Sequence, residues 1–121
     1  MRLTIFLAIF FLNTSQANAE TMGFDCHFDR YSMDGKTGEE DFKLSYLVDD
    51  ESGKGYLMGN QGTSEVTVIP SEGQVTFIEV TTSGNVMTTT WVISGPAVHS
   101  RNTVFMGKLR GSQYYGSCEM K

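Results

Sequence analysis

Few residues in this chain carry chemistry, and their spacing limits what they can do. Histidine occurs only at His27 and His99. A metal site made of both, or a Ser–His–Asp triad using Ser100, is the chemistry they suggest, and nothing in the spacing supports either. Cysteine occurs only at Cys26 and Cys118. With no CxxC or HxxxH spacing nearby they make a poor zinc site. In a small chain bound for an oxidising compartment two cysteines pair with each other. Such a bond spans 92 positions. The loop-entropy argument assigns a closure of that length roughly 4–5 kcal/mol. It also brings the two ends of the domain side by side. No thiol nucleophile then remains, and no G-x-S-x-G, H-E-x-x-H or glycine-rich phosphate loop occurs. No catalytic set, metal or cofactor is therefore expected.

Two acidic triplets, Glu39-Glu40-Asp41 and Asp49-Asp50-Glu51, invite a calcium reading. Placing Gly35 as the glycine of an EF-hand loop makes Arg30 the first ligand, which repels a cation, and Asp41 the last. The EF-hand fails, and solvated turns explain the acids. A different cluster is more promising. Val98-His99-Ser100-Arg101-Asn102 is polar for a strand, and period-two alternation puts His99 and Arg101 on one side. They read either as plain polar positions or as part of an anionic ligand or partner site. Near the C-terminus, Tyr114 falls on the face of Cys118 and Tyr115 on the opposite face. One belongs to the core, and the other suits a rim or interface. Trp91 reads as core before ligand platform. Thr81, Thr82, Thr88, Thr89 and Thr90 need no more than strand propensity.

The elements that position these residues are short strands. Gly, Asn, Asp and Ser interrupt the chain every ~8–12 residues, the rhythm of an antiparallel meander. Phe24, Cys26 and Phe28 alternate with polar residues, as do Phe42, Leu44, Tyr46 and Val48. Further strands are expected at 55–58, 66–69, 75–80, 86–93, 97–106 and 112–120. Apolar residues on both faces of 75–80 suggest a central strand. Residues 32–41, SMDGKTGEED, read as a polar loop, and Gly107 to Gly111 as a connection. The expectation is an all-β domain of about eight strands. A closed or nearly closed barrel is favoured, because closure removes exposed edges and seats the paired cysteines on neighbouring strands. A β-sandwich is the alternative.

The whole chain is 121 residues with 9 Lys+Arg against 14 Asp+Glu, a net charge of −5. That length allows one domain, and no basic cluster points to nucleic acid. No apolar run reaches the ~18 residues of a membrane-spanning helix. Residues 1–19 have the order of a secretory leader: Arg2, the apolar run Ile5 to Leu12, then Ala17-Asn18-Ala19. Cleavage after Ala19 is expected to release residues 20–121 into a bacterial periplasm. Cys26 lacks a lipobox, so no lipid anchor or membrane insertion is expected, and the domain reads as a monomer.

The runs GPAVHSRNTV and GSQYYGSC, with the leader and the paired cysteines, carry a resemblance. The chain resembles uncharacterised small secreted bacterial β proteins with paired terminal cysteines, a likeness that implies residence in the periplasm and no activity. More loosely, the architecture is similar to periplasmic inhibitor barrels and to lipocalin- or avidin-type barrels, without their binding motifs. The expected function is a non-catalytic module acting through surface loops, 32–41 among them, on another protein. Two alternatives stand beside it. One is a carrier of a small apolar molecule lined by Trp91, Tyr46, Phe77 or Met87, and the other is an enzyme using His99.

Overall fold

Alternation of apolar and polar residues builds the molecule. The computed structural model describes residues 21–59 and 62–121, so the expected leader lies outside it. The strands are β1 Thr21–Met33, β2 Lys36–Asp49, β3 Gly55–Gly59, β4 Gly62–Ser71, β5 Gln74–Val80, β6 Val86–Val92, β7 Pro96–Phe105 and β8 Lys108–Met120. Each pairs antiparallel with the next, and β8 returns to β1, closing a barrel. The expected eight-stranded closed barrel is therefore the fold, and the sandwich is set aside. No helix among the described residues is long and apolar enough to cross a membrane.

Cys26 sits directly opposite Cys118 across the β1–β8 seam, and the two form a disulfide. A covalent link between the first and last strands fits an oxidising extracellular compartment. The seam also holds a β-bulge between Phe28 and Arg30. Up to the bulge the even positions Phe24, Cys26 and Phe28 are buried; beyond it Tyr31 faces the inward Tyr114, so odd positions turn inward. The extra residue thus turns Arg30 outward, where inward pairing would have buried its charge. Gly116 makes the bulge possible. A Cβ there would lie 1.9 Å from the His27 carbonyl oxygen and 2.6 Å from Phe28 Cα.

The interior is filled toward the end where the first and last described residues, Thr21 and Lys121, lie. Tyr46 stacks on Phe77 with ring centroids 4.0 Å apart. Phe24 meets Trp91 edge-on at 5.0 Å and Phe77 at 5.8 Å. Val48, Val66, Val75, Leu57 and Ala97 close the spaces between them. These are the inward residues of a small barrel, whose bore eight strands leave just wide enough for side chains.

Three sequence expectations need correction. Residues 32–41 are not a loop. Strands β1 and β2 run almost to the tip, joined by a two-residue turn at Asp34-Gly35 with φ of 49° and 82°. Residues 107–111 are not a connection either, because β7 and β8 meet in a turn at Met106-Gly107. Both segments pair as ribbons with no buried face to impose an apolar alternation, so polarity misled. Finally, 75–80 has no central status, since every strand of a closed barrel has two neighbours. Its Val75 and Phe77 face the core, while Val80 is exposed. Strand β4 also extends through Pro70, which stands opposite Val75 near its end.

Candidate ligand cup at the barrel mouth

At the end opposite Thr21 and Lys121 the packing stops short. The β5–β6 turn and the facing ends of β3 and β4, at Gly59 and Gly62, rim a cup of about 710 Å³, lined by Phe42, Leu44, Leu57, Met87, His99 and Arg101 among others. Strand β7 supplies the polar floor. Inward alternation through Ala97 places His99 and then Arg101 one above the other. Their neighbours on β8 are Tyr114, opposite His99, and Ser112, opposite Arg101.

His99 is 2% exposed and Thr89 is 1% exposed. The hydroxyl of Thr89 lies 2.6 Å from the Tyr46 hydroxyl and 2.6 Å from His99 Nδ1. The directions of these bonds follow from counting protons. If Tyr46 donates to Thr89 and Thr89 donates to Nδ1, the imidazole proton sits on Nε2, and only that group lacks a partner. The reverse order strands the Tyr46 proton as well as Nε2. Burial disfavours both, so the first order holds. Nε2 is buried with no hydrogen-bond partner among the described residues. It is therefore a donor without an acceptor. Burial, helped by the Arg101 charge, lowers the His99 pKa to about 4, so the ring is neutral at pH 7. Burial also pushes the Tyr46 hydroxyl well above its ordinary value, so it stays a donor.

Arg101 is held by aromatic rings in place of an acid. Its guanidinium carbon stands 4.8 Å from the Tyr114 ring centroid and 5.6 Å from that of Phe42. One terminal nitrogen donates to the Tyr114 hydroxyl at 2.5 Å, and Nε donates to Ser112 Oγ at 3.4 Å. Among the described residues no carboxylate lies within ion-pair distance of it. Cup acids stand on the other wall. Glu79 pairs across to Met87, and Met87 to Arg101, so the backbones of Glu79 and Arg101 stand two strand spacings apart, roughly 9–10 Å. The cup thus has a cationic wall, an acidic wall and an apolar lining between them.

The structure brings together three of the residues singled out in the sequence: His99, Arg101 and Tyr114. It separates the other two. Trp91 lies toward the end of Thr21 and Lys121, where it lines a second, more apolar cavity of about 440 Å³ with its indole nitrogen buried and unpaired. Tyr115 lies half-buried away from the cup and donates its hydroxyl to Gln113 at 2.7 Å. Of the residues proposed to line a carrier cavity, Met87 does so, whereas Tyr46 and Phe77 are stacked core. Sequence reading missed Thr89 and Phe42. Phe42 follows from the inward alternation of β2, but Thr89 sits in a threonine run that strand propensity already explained.

The acidic triplets do not gather. Glu39, Glu40 and Asp41 are strung along β2, with Asp41 accepting a bond from His27 Nε2 at 2.8 Å. Asp49 closes its own turn, accepting from the Glu51 amide and the Ser52 hydroxyl. No cluster of three potential metal ligands occurs among the described residues.

Fold and site together define a small meander barrel, stapled at its seam, with one filled half and one open polar mouth. No known protein family, curated protein or solved structure matches the chain.

Proposed function

We propose that the protein is a non-catalytic periplasmic binding module that holds a small organic carboxylate with an apolar body in the mouth of its barrel. One observation carries this reading. A half-buried arginine without an acid partner stands on one wall of the cup beside the buried, unpaired imidazole of His99, across the apolar side chains of Phe42, Leu57 and Met87 from Glu65 and Glu79. An arginine left without an acid is favoured when an oxyanion meets it, and the buried Nε2 of His99 adds an unpaired donor behind it. Phe42, Leu57 and Met87 offer the apolar contact that a ligand body needs. The expected leader at residues 1–19 supports the compartment, as does the disulfide. Action on another protein through surface loops has less support than the sequence suggested, because residues 32–41 are paired strand and a two-residue turn.

Calorimetric titration with octanoate and with octan-1-ol tests the proposal. Octanoate is expected to bind at least about tenfold more tightly than the alcohol, a difference of roughly 1.4 kcal/mol. Arg101→Gln is expected to remove that difference while leaving the melting temperature nearly unchanged. Equal binding of acid and alcohol, or no binding of octanoate at millimolar concentration, overturns it.

A further inference from the structure

The β7–β8 hairpin outruns both of its neighbours. Strand β6 last pairs with β7 at Asn102, and β1 last pairs with β8 at Ser112. Beyond those points residues 103–110 find their strand partners only in one another, Thr103 with Arg110, Val104 with Leu109 and Phe105 with Lys108, and the Val104 amide also donates to Asn85 Oδ1 at 3.4 Å. The ribbon therefore projects about three residues, roughly 10 Å, past the rest of the wall. At its base Gly111 exchanges hydrogen bonds with Asp34, which braces it against the β1–β2 turn.

The tip of this ribbon is apolar. Val104, Phe105, Met106 and Leu109 are 59%, 76%, 88% and 72% exposed. None of them contributes to the core cluster. Turn chemistry makes this more pointed. Met106 and Gly107 have φ of 50° and 76°, nearly those of Asp34 and Gly35 in the neighbouring hairpin. That turn favours Asn, Asp or Gly at its first position, and Asp34 obeys. Met106 holds the same left-handed conformation with an apolar side chain that touches no core. A local rule broken at an exposed position, with no packing gain, marks a functional surface.

Charge identifies the partner. The segment TVFMGKLRG, residues 103–111, holds Lys108, Arg110 and no acid, in a chain of net charge −5. Lys36 is exposed on the β1–β2 hairpin beside it, where Asp34 stands 3.9 Å from Arg110. An apolar tip that sinks by one turn, with cations held at the depth of the headgroups, fits an anionic lipid bilayer. We propose that the β7–β8 tip docks the protein peripherally on anionic phospholipid, through Phe105, Met106 and Leu109 in the interface and Lys108 and Arg110 at the phosphates. The contact is a turn lying in the surface and spans nothing. It is independent of the ligand cup, whose residues it does not use.

Co-sedimentation of the disulfide-bonded protein with extruded vesicles tests this. Binding is expected to vesicles of mixed phosphatidylglycerol and phosphatidylcholine, to weaken in high salt, and to be at least about tenfold weaker on pure phosphatidylcholine. Phe105→Ser with Met106→Asn is expected to lower binding at least about tenfold. The pair keeps the fold, because Asn suits the left-handed position. Lys108→Gln with Arg110→Gln is expected to reduce binding to the phosphatidylcholine level. Absence of binding at millimolar lipid overturns the proposal, as does a tip variant that binds like the parent. Sedimentation equilibrium without lipid gives one further outcome: self-association abolished by Met106→Asn, which overturns it by assigning the tip to a second copy.

Discussion

His99 shows how much one side chain can reveal about the inside of a barrel. Its pKa is lowered to about 4, first by burial and then by Arg101. In the unfolded chain the ordinary value is 6.5. Above pH 6.5 the ring is neutral in both states, and its contribution is fully present. Between pH 6.5 and 4 the unfolded chain takes up a proton that the folded protein refuses, so stability falls as pH falls. The gap amounts to about 3 kcal/mol across that window. Urea midpoints at pH 7 and pH 4.5 are expected to reveal this loss in the parent and to lack it in His99→Gln. An equal loss in the variant removes the assignment. The Asp25 carboxyl does not compete in this window. The Ser45 hydroxyl donates to it and Lys121 pairs with it, which lowers its pKa below 3.8, so its share is lost only in stronger acid. The pairing of His99 with Arg101 was legible by alternation alone. The Tyr46–Thr89–His99 chain was not, because it joins residues 43 and 10 positions apart across three strands. Nothing local in a threonine-rich run sets Thr89 apart from Thr88 or Thr90.

At the scale of strands, the sequence announces what is buried and hides what is not. Strands with one inward face, such as Phe42 to Val48, wear the period-two pattern openly. The outer halves of β1, β2, β7 and β8 stand beyond the filled core and lose it, so SMDGKTGEED looks like a loop although Ser32, Met33 and Lys36 to Glu39 are paired in the ladder. What sustains these outer ribbons is register, and the register depends on the seam bulge. Gly116 is the residue that permits the close approach, since backbone atoms of His27 and Phe28 occupy the space of a side chain. Backbone neighbours cannot step aside as a flexible side chain does. Gly116→Ala is therefore expected to cost several kcal/mol or abolish folding. Gly23→Ala, whose new Cβ would meet its nearest atom at 3.6 Å, is expected to stay within about 1 kcal/mol. Thermal melts of the two variants side by side check this. A Gly116→Ala protein that melts like the parent would show that the seam can shift, and with it the inward turn of Tyr31.

For the molecule as a whole, the seam is where topology and covalent chemistry meet. A meander of eight strands gains its last and longest-range pairing when β8 finds β1. That pairing runs from Phe24 with Met120 to Met33 with Ser112, so backbone hydrogen bonds already close the barrel without the disulfide. The Cys26–Cys118 bond acts mainly on the unfolded chain, where it ties a loop of 92 residues. Its removal should lower stability by about 4–5 kcal/mol and leave the native barrel in place. Three forms are expected to agree: Cys26→Ala, Cys118→Ala and the double variant, because each loses the same single bond. Guanidinium unfolding measures the loss, far-UV circular dichroism reports the barrel, and octanoate titration reports the mouth, which lies away from the bond. A double variant that loses twice as much as either single one would place the effect in packing at two separate sites. Loss of the dichroism signal would mean that hydrogen bonds at the seam cannot hold β1 against β8 alone. The barrel would then be closed by its covalent link first and by its sheet second.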